Sequence, residues 1–374
     1  MIPFNKPYFV GNELDYIGES FRKNKTCGNG VFTKLVEEFF LDNLKCRKCL
    51  MTSSCTDALE MCALLADISN GDEVILPSFT FVSTALAFAR QGAKLVFADS
   101  RKDNPCIDEN TIEALITPRT RAIVVVHYAG MACEMDTIMD IARRNNIIVI
   151  EDAAQAIASS YKGKPLGSIG HLAAFSFHET KNIQCGEGGL LCINDQRFVD
   201  RAEIIWEKGT NREAFFRGEV DKYSWVDIGS SFLPAEYVAA FLYAQLGKID
   251  DIQGKRIALW NTYYEELKVL KKGVLPSIPN YAENNAHMFY LVCPSLNSRT
   301  DLISFLKKEG IQSAFHYQSL HLSSYVMKNY TETLHLPQSD RYSDCLLRLP
   351  LYYELSNNQV REIAHCVNYY FDKV

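Results

Sequence analysis

Between about residues 49 and 193, short continuous apolar runs alternate with amphipathic stretches of helical period. The runs, at 49–52, 73–76, 94–97, 122–126 and 147–150, are rich in β-branched residues and too short for helices. Helical spacing fills the intervals at 56–67, 82–91, 108–115 and 135–144. Continuous apolar strands alternating with helices predict a mostly parallel sheet covered on both faces, the α/β class. Amphipathic helices over 12–22 and 31–43 precede it. After about residue 196 the pattern turns helical, breaks near Gly209 and Gly229, and predicts one long helix over 234–270. The remainder reads as strands over 287–293 and 312–317 and helices over 301–308 and 357–371. A capping box, Ser356-x-x-Gln359, opens the last helix. The 374 residues leave room for two domains: 1–245 carrying the large sheet, and a smaller α+β domain over 246–374.

Ligands of such sheets gather at the carboxyl ends of the strands. Those ends carry Ser53-Ser-Cys-Thr-Asp57, Pro77-Ser-Phe-Thr-Phe-Val-Ser83, His127-Tyr-Ala-Gly130 and Glu151-Asp-Ala-Ala-Gln155. A further strand runs into Ser176, followed by a polar turn with His178, Thr180, Lys181 and Asn182. Gly186, Gly188 and Gly189 then lead into the apolar run 190–193.

A lysine is by default a solvated surface charge, and a tight turn between two buried strands is an odd place for one. Lys181 is therefore expected to hold pyridoxal 5′-phosphate as a Schiff base. That cofactor needs an amine, a carboxylate for its ring nitrogen, donors for its phosphate and a flat group against its ring. Asp152, ending a buried strand, supplies the carboxylate, although alone it reads more readily as a helix N-cap. Ser54-Cys55-Thr56 sits where a strand meets a helix, and the free N–H groups there suit a phosphate or simple capping. Ser176 approaches the phosphate from the Lys181 side. Phe81 is the stacking candidate, against the ordinary reading of an isolated aromatic as core. Gln155 either hydrogen-bonds the cofactor or packs on its other face. His178 either tunes Lys181 or supports the turn.

Charge and composition narrow the partners. A net charge of −6 argues against nucleic acid. No apolar run reaches the roughly 20 residues that span a bilayer. The start, Met1-Ile-Pro-Phe-Asn-Lys-Pro7, has no basic region followed by an apolar core. A soluble cytoplasmic protein with no membrane partner is expected. The 12 cysteines are irregularly spaced. Cys46-Arg-Lys-Cys49 is a lone Cys-x-x-Cys without a second pair at zinc spacing, so free thiols and no metal site are expected.

Phe175-Ser-Phe-His-Glu-Thr-Lys-Asn182, followed by Gly186-Glu-Gly-Gly189, resembles the cofactor-lysine motif of DegT-type sugar-nucleotide aminotransferases. The segments around Asp152, Phe81 and Thr56 resemble that family's ring-nitrogen, stacking and phosphate motifs, in the same order. The resemblance implies the fold-type I aminotransferase architecture and a homodimer with active sites at the subunit interface. It implies a sugar nucleotide and an amino donor as substrates. His127-Tyr-Ala-Gly130, Cys133-Glu-Met-Asp-Thr-Ile138 and Glu207-Lys-Gly-Thr-Asn-Arg212 resemble a narrower subgroup. That subgroup aminates dTDP-4-oxo-6-deoxyglucose to the 4-amino-4,6-dideoxygalactose product, with glutamate as donor, for surface polysaccharide. Many relatives have Gly-x-Asn-x-Arg where this chain has Gly229-Ser-Ser-Phe-Leu233, which implies that Ser231 reaches the partner subunit's phosphate site. His316-Tyr-Gln-Ser-Leu-His321 resembles the family's His-Tyr-x-Pro-Leu-His, which implies that His316 and Tyr317 lie beside the substrate. Arg212, with Arg217 and Lys222, either meets the nucleotide diphosphate or forms a solvated basic surface. The gluco epimer, amination at C3, a UDP-linked sugar and a non-enzymatic binding protein stay open as alternatives. Lys181 counts against a dehydratase, in which histidine replaces that lysine.

Overall fold

The computed structural model describes residues 1–331 and 333–373. Helices α1 (Glu13–Arg22) and α2 (Val31–Leu44) open the chain. The expected alternation follows: β1 (Lys48–Thr52), α3 (Cys55–Leu65), β2 (Glu73–Pro77), α4 (Val82–Ala89), β3 (Lys94–Ala98), α5 (Glu109–Leu115), β4 (Thr120–Val126), α6 (Met135–Asn145) and β5 (Ile148–Asp152). A short pair, β6 (Ser160–Tyr161) and β7 (Lys164–Pro165), precedes β8 (Leu172–Ser176) and β9 (Gly189–Ile193). The large sheet has the order β1-β9-β8-β5-β4-β2-β3. Only β9 runs against its neighbours. The link from β8 to β9 contains no helix, and a connection without a crossover must return antiparallel. Alternate residues of β4 feed two cores, Ile123 and Val125 on one face and Ala122 and Val124 on the other.

Helices α7 (Val199–Trp206) and α8 (Arg212–Phe216) come next. The single helix expected over 234–270 is two, α9 (Glu236–Leu246) and α10 (Ile249–Leu267), because the backbone turns at Gly247 and Lys248. Apolar spacing continues across that break and conceals it. The chain then forms β10 (Ala282–Glu283), β11 (Phe289–Val292), α11 (Leu296–Lys308), β12 (Ala314–Phe315), α12 (Ser324–Asn329), α13 (Pro337–Cys345), β13 (Leu346–Leu349) and α14 (Asn357–Lys373). Strands β11-β13-β12 make a small antiparallel sheet with its own core, which includes Leu259, Tyr263, Phe289, Leu347 and Val367. The strand expected over 312–317 shrinks to Ala314–Phe315, because Ile311 pairs with Ile2 and the chain beyond Phe315 turns into a cavity. The capping box forms: Ser356 N–H donates to Gln359 Oε1 at 3.0 Å and Gln359 N–H to Ser356 Oγ at 3.2 Å.

Packing ties the last third of the chain back to the large sheet. Leu320 N–H donates to the Ser78 carbonyl at 2.9 Å, and Leu95 N–H donates to Tyr330 Oη at 3.1 Å. Among the described residues no helix is long and apolar enough to cross a membrane.

One buried carboxylate joins the helices that flank the sheet. Glu236, at the start of α9, accepts from Gly30 N–H at 2.9 Å, Thr33 Oγ1 at 2.7 Å and Phe32 N–H. It therefore caps α2 from outside the helix. Glu236→Ala strands those donors, and a loss of about 3 kcal/mol is expected. Urea denaturation should show this as a lower midpoint at unchanged slope.

Candidate active site

A cavity of about 520 Å³ opens where β1, β2, β5 and β8 end. Adjacent residues of a strand face opposite sides, and β5 ends in two carboxylates. Glu151 points away from the cavity and is fully supplied. It accepts N–H groups from Gly167 and Ile169 at 2.8 Å and Gly170 at 2.6 Å, and shares a 2.9 Å hydrogen bond with the His127 ring. Burial raises its pKa, but His127 and these N–H groups outweigh burial and the pKa ends below the ordinary value.

Asp152 faces the cavity with less. Thr84 Oγ1 donates at 2.6 Å and Ala154 N–H at 3.1 Å. A carboxylate offers about four acceptor sites, so this one is half supplied. Burial raises its pKa above the usual carboxylate value. No helix follows β5, so the N-cap reading of Asp152 does not hold.

Lys181 opens into the same cavity. Its N–H closes the turn on the His178 carbonyl at 2.9 Å. Burial lowers the pKa of its ammonium; the Arg348 charge adds to this, while Cys55 and Asp152 oppose it. The neutral amine is thus nearer to hand than for a surface lysine.

At the start of α3, Ser54 Oγ accepts Asp57 N–H at 3.1 Å. The first helical N–H groups, of Cys55 and Thr56, have no intrahelical acceptor and point toward the cavity end of the helix. Thr56 Oγ1 lies 2.8 Å from Ser83 Oγ, and Ser176 completes this side. The Asp57 carboxylate is taken by Ser53 Oγ, so it does not oppose an anion here. Gly189 makes the arrangement possible. A Cβ on it would sit 2.3 Å from the Ser54 carbonyl carbon and 2.5 Å from Cys55 N.

Aromatic residues close the other sides. Phe81 borders the cavity with its ring 6.0 Å from that of Tyr317. Gln155 is committed at both ends: Ala129 N–H donates to its Oε1 at 2.6 Å and its Nε2 donates to Tyr317 Oη at 3.1 Å. It therefore orients Tyr317. His316 stacks on Tyr317 at 3.7 Å and shares a 3.0 Å hydrogen bond with Tyr128 Oη. Burial lowers the His316 pKa, helped by Arg348 and Lys181, and keeps the ring neutral. His178 stands on the rim, its Nδ1 2.9 Å from Thr180 Oγ1.

Two residues named from sequence lie elsewhere. Arg212 pairs with Glu207 at 2.9 Å and covers the Phe216 ring. Ser231 is exposed and bridges to Glu207. Neither lines the cavity of its own chain. Conversely, sequence reasoning passed over His287 and Arg348. His287 Nδ1 is 3.0 Å from Asn182 Oδ1. Arg348 projects from β13 into the cavity. A lone arginine inside Leu346-Leu-Arg-Leu-Pro350 was the available signal.

The model of the DegT/DnrJ/EryC1/StrS aminotransferase family matches residues 9–368. The chain belongs to this family. The spore coat polysaccharide biosynthesis protein SpsC of Bacillus subtilis is 29% identical over 374 residues, 98% of this chain and 96% of its own. S. venezuelae DesV, solved with a ketimine intermediate, is 28% identical with a TM-score of 0.92, covering 100% of this chain and 99% of its own. The aminotransferase TlmJ from Streptoalloteichus hindustanus is 26% identical with a TM-score of 0.92 over the same shares. As a member of this family the protein is a pyridoxal 5′-phosphate-dependent aminotransferase of fold type I. The half-supplied buried Asp152, the shifted Lys181 amine and the open N–H groups of α3 fit that cofactor.

Gly189→Ala places a methyl group against backbone that cannot yield. Cofactor affinity should fall more than tenfold while the far-ultraviolet circular dichroism stays native. Equilibrium dialysis against pyridoxal 5′-phosphate measures the loss.

Proposed function

We propose that this aminotransferase moves an amino group from L-glutamate to a nucleotide-linked keto sugar, dTDP-4-oxo-6-deoxyglucose, yielding dTDP-4-amino-4,6-dideoxygalactose. The observation that carries the reading is the pairing of a half-supplied buried carboxylate, Asp152, with a low-pKa amine, Lys181, in one cavity. The sugar substrate rests on the motif resemblance, and the part SpsC takes in spore coat polysaccharide biosynthesis supports it. When bound, the cofactor carries the amino group between the two substrates and stores the electron pair released at the donor carbon.

In this reading Lys181 anchors the cofactor and, once free, takes a proton from the donor carbon and returns it to the product side. Asp152 keeps the ring nitrogen protonated. The N–H groups of Cys55 and Thr56, with the hydroxyls of Thr56 and Ser176, hold the phosphate. Phe81 covers one ring face, and Gln155 fixes the Tyr317 side. His178 holds the rim beside Lys181, and His316 and Tyr317 line the sugar side.

A homodimer completes the site. Phe216, Tyr223, Trp225 and Ile228 are all exposed beside Arg212 and Ser231, an apolar patch suited to a second subunit. Across that contact Ser231 reaches the partner's phosphate site and Arg212 the nucleotide diphosphate.

Arg348 meets the donor. Its guanidinium donates to the Phe315 carbonyl at 3.2 Å and lies over the Phe4 ring at 4.6 Å, but its buried Nε has no partner among the described residues. Burial lowers its pKa. A half-buried cation with no carboxylate partner among the described residues calls for an anionic ligand, and a glutamate carboxylate supplies it.

The enzyme incubated with dTDP-4-oxo-6-deoxyglucose and glutamate should give an axial amine at C4 by NMR. An equatorial amine, an amine at C3, or turnover only of a UDP-linked sugar would replace the substrate assignment. Lys181→Ala should lose the visible absorbance of the lysine-bound cofactor and all turnover. Arg348→Met should raise the KM for glutamate about 10- to 100-fold, the worth of a charge-assisted hydrogen bond, and leave the KM for the sugar nucleotide unchanged.

A further inference from the structure

The Cys46-x-x-Cys49 pair, idle by its spacing, has a third member that only the fold reveals. Cys49 on β1 stands directly opposite Cys192 on β9. Cys46 turns back over the start of β1, with its Sγ 3.3 Å from that of Cys49. The sulfurs of Cys46, Cys49 and Cys192 all lie within 4.8 Å of one another. Tetrahedral Zn–S bonds of about 2.3 Å put neighbouring sulfurs about 3.8 Å apart, inside this range. We propose that Cys46, Cys49 and Cys192 form a zinc site at the end of the sheet opposite the active-site cavity.

The ligand set is soft and exclusively sulfur, which selects a thiophilic cation over magnesium or calcium. Cys49 and Cys192 are buried, whereas Cys46 is half-buried and gives the metal a path from solvent. The same open side leaves the fourth position to water. Binding exchanges the three S–H bonds for Zn–S bonds and releases the protons to solvent, with no change of oxidation state.

The site is remote from the chemistry but not unconnected. β1 spans Lys48 to Thr52, roughly 13 Å at the usual strand rise, and then delivers Ser54 and Cys55 to the cavity. β9 begins at Gly189, packed on that same backbone. A metal joining Cys49 to Cys192 would staple the two strands on whose other ends the helix α3 turn is built.

The test uses full-length holoenzyme, reduced, stripped with a chelator and dialysed. Zinc ion is titrated against a chromophoric zinc indicator, and retained metal is counted by plasma mass spectrometry. Wild type should hold one equivalent per chain. Cys46→Ser should bind at least tenfold more weakly while keeping the cofactor absorbance that reports a folded active site. Cys192→Ala should behave the same, and Cys46→Ser alone decides if that variant fails to fold. Cys27→Ser, at an exposed thiol elsewhere, should bind as wild type does. No zinc retained by wild type, equal zinc in wild type and Cys46→Ser, or a Cys46–Cys49 disulfide found by alkylation of freshly lysed cells would each overturn the proposal.

Discussion

The active site depends on how a buried charge is compensated. Strand β5 ends in two carboxylates, and burial raises the pKa of both. On Glu151 the opposing interactions win: His127 and three backbone N–H groups surround it and hold its pKa below the ordinary value. Among the described residues Asp152 receives only Thr84 and Ala154, and its remaining acceptor sites face the cavity. Leaving a buried carboxylate short of donors costs several kcal/mol unless a ligand completes it. A protonated ring nitrogen is such a ligand, because it brings a donor and a positive charge together. One residue of register therefore separates a fully supplied acid from a half-supplied one that faces the cavity.

The antiparallel strand β9 is the second condition. Its reversal lets the chain leave the Lys181 turn and re-enter the sheet next to β1. That brings Gly189 against Ser54 and Cys55, so the lysine turn and the helix α3 turn share a wall. The small antiparallel sheet supplies the remaining side. β13 carries Arg348, and the chain after β12 carries His316 and Tyr317 into the same cavity. Lys181, Asp152 and the N–H groups of Cys55 and Thr56 thus come from the large sheet, while Arg348, His316 and Tyr317 come with the small one.

Much of this was legible in the sequence, for stated reasons. Each strand of the parallel region is a continuous apolar run, so its end, and the polar residues there, could be read directly. Lys181, Asp152, Thr56 and Phe81 meet because parallel strands with right-handed crossovers put all their carboxyl ends on one edge. The misses share a different cause. Gly247 breaks α9 from α10 within an unbroken apolar spacing, which periodicity cannot register. Arg348 sits in a strand whose other residues read simply as core. Cys192 meets Cys46 and Cys49 only through strand pairing, which sequence spacing does not encode. Ser231 was named from resemblance and Arg212 from a cluster of basic residues, and a single chain leaves both outside its own cavity.

The charge of the cavity also follows from burial and differs from that of the whole chain. The chain carries −6, which disfavours anions at long range. Inside, burial lowers the pKa of His287 and of His316, so neither adds a proton. Positive charge is left to Lys181 and Arg348, and Lys181 is itself pushed toward the neutral amine. Arg348 is then the fixed cation of the pocket. An arginine cannot lose its charge as a lysine can, and its planar fork matches a carboxylate. In the proposed reaction the group that must change protonation is a lysine, and the group that must stay charged is an arginine. Interchanging them would leave the net charge of the cavity unaltered and remove both functions, so residue type at these two positions matters more than the sum of their charges.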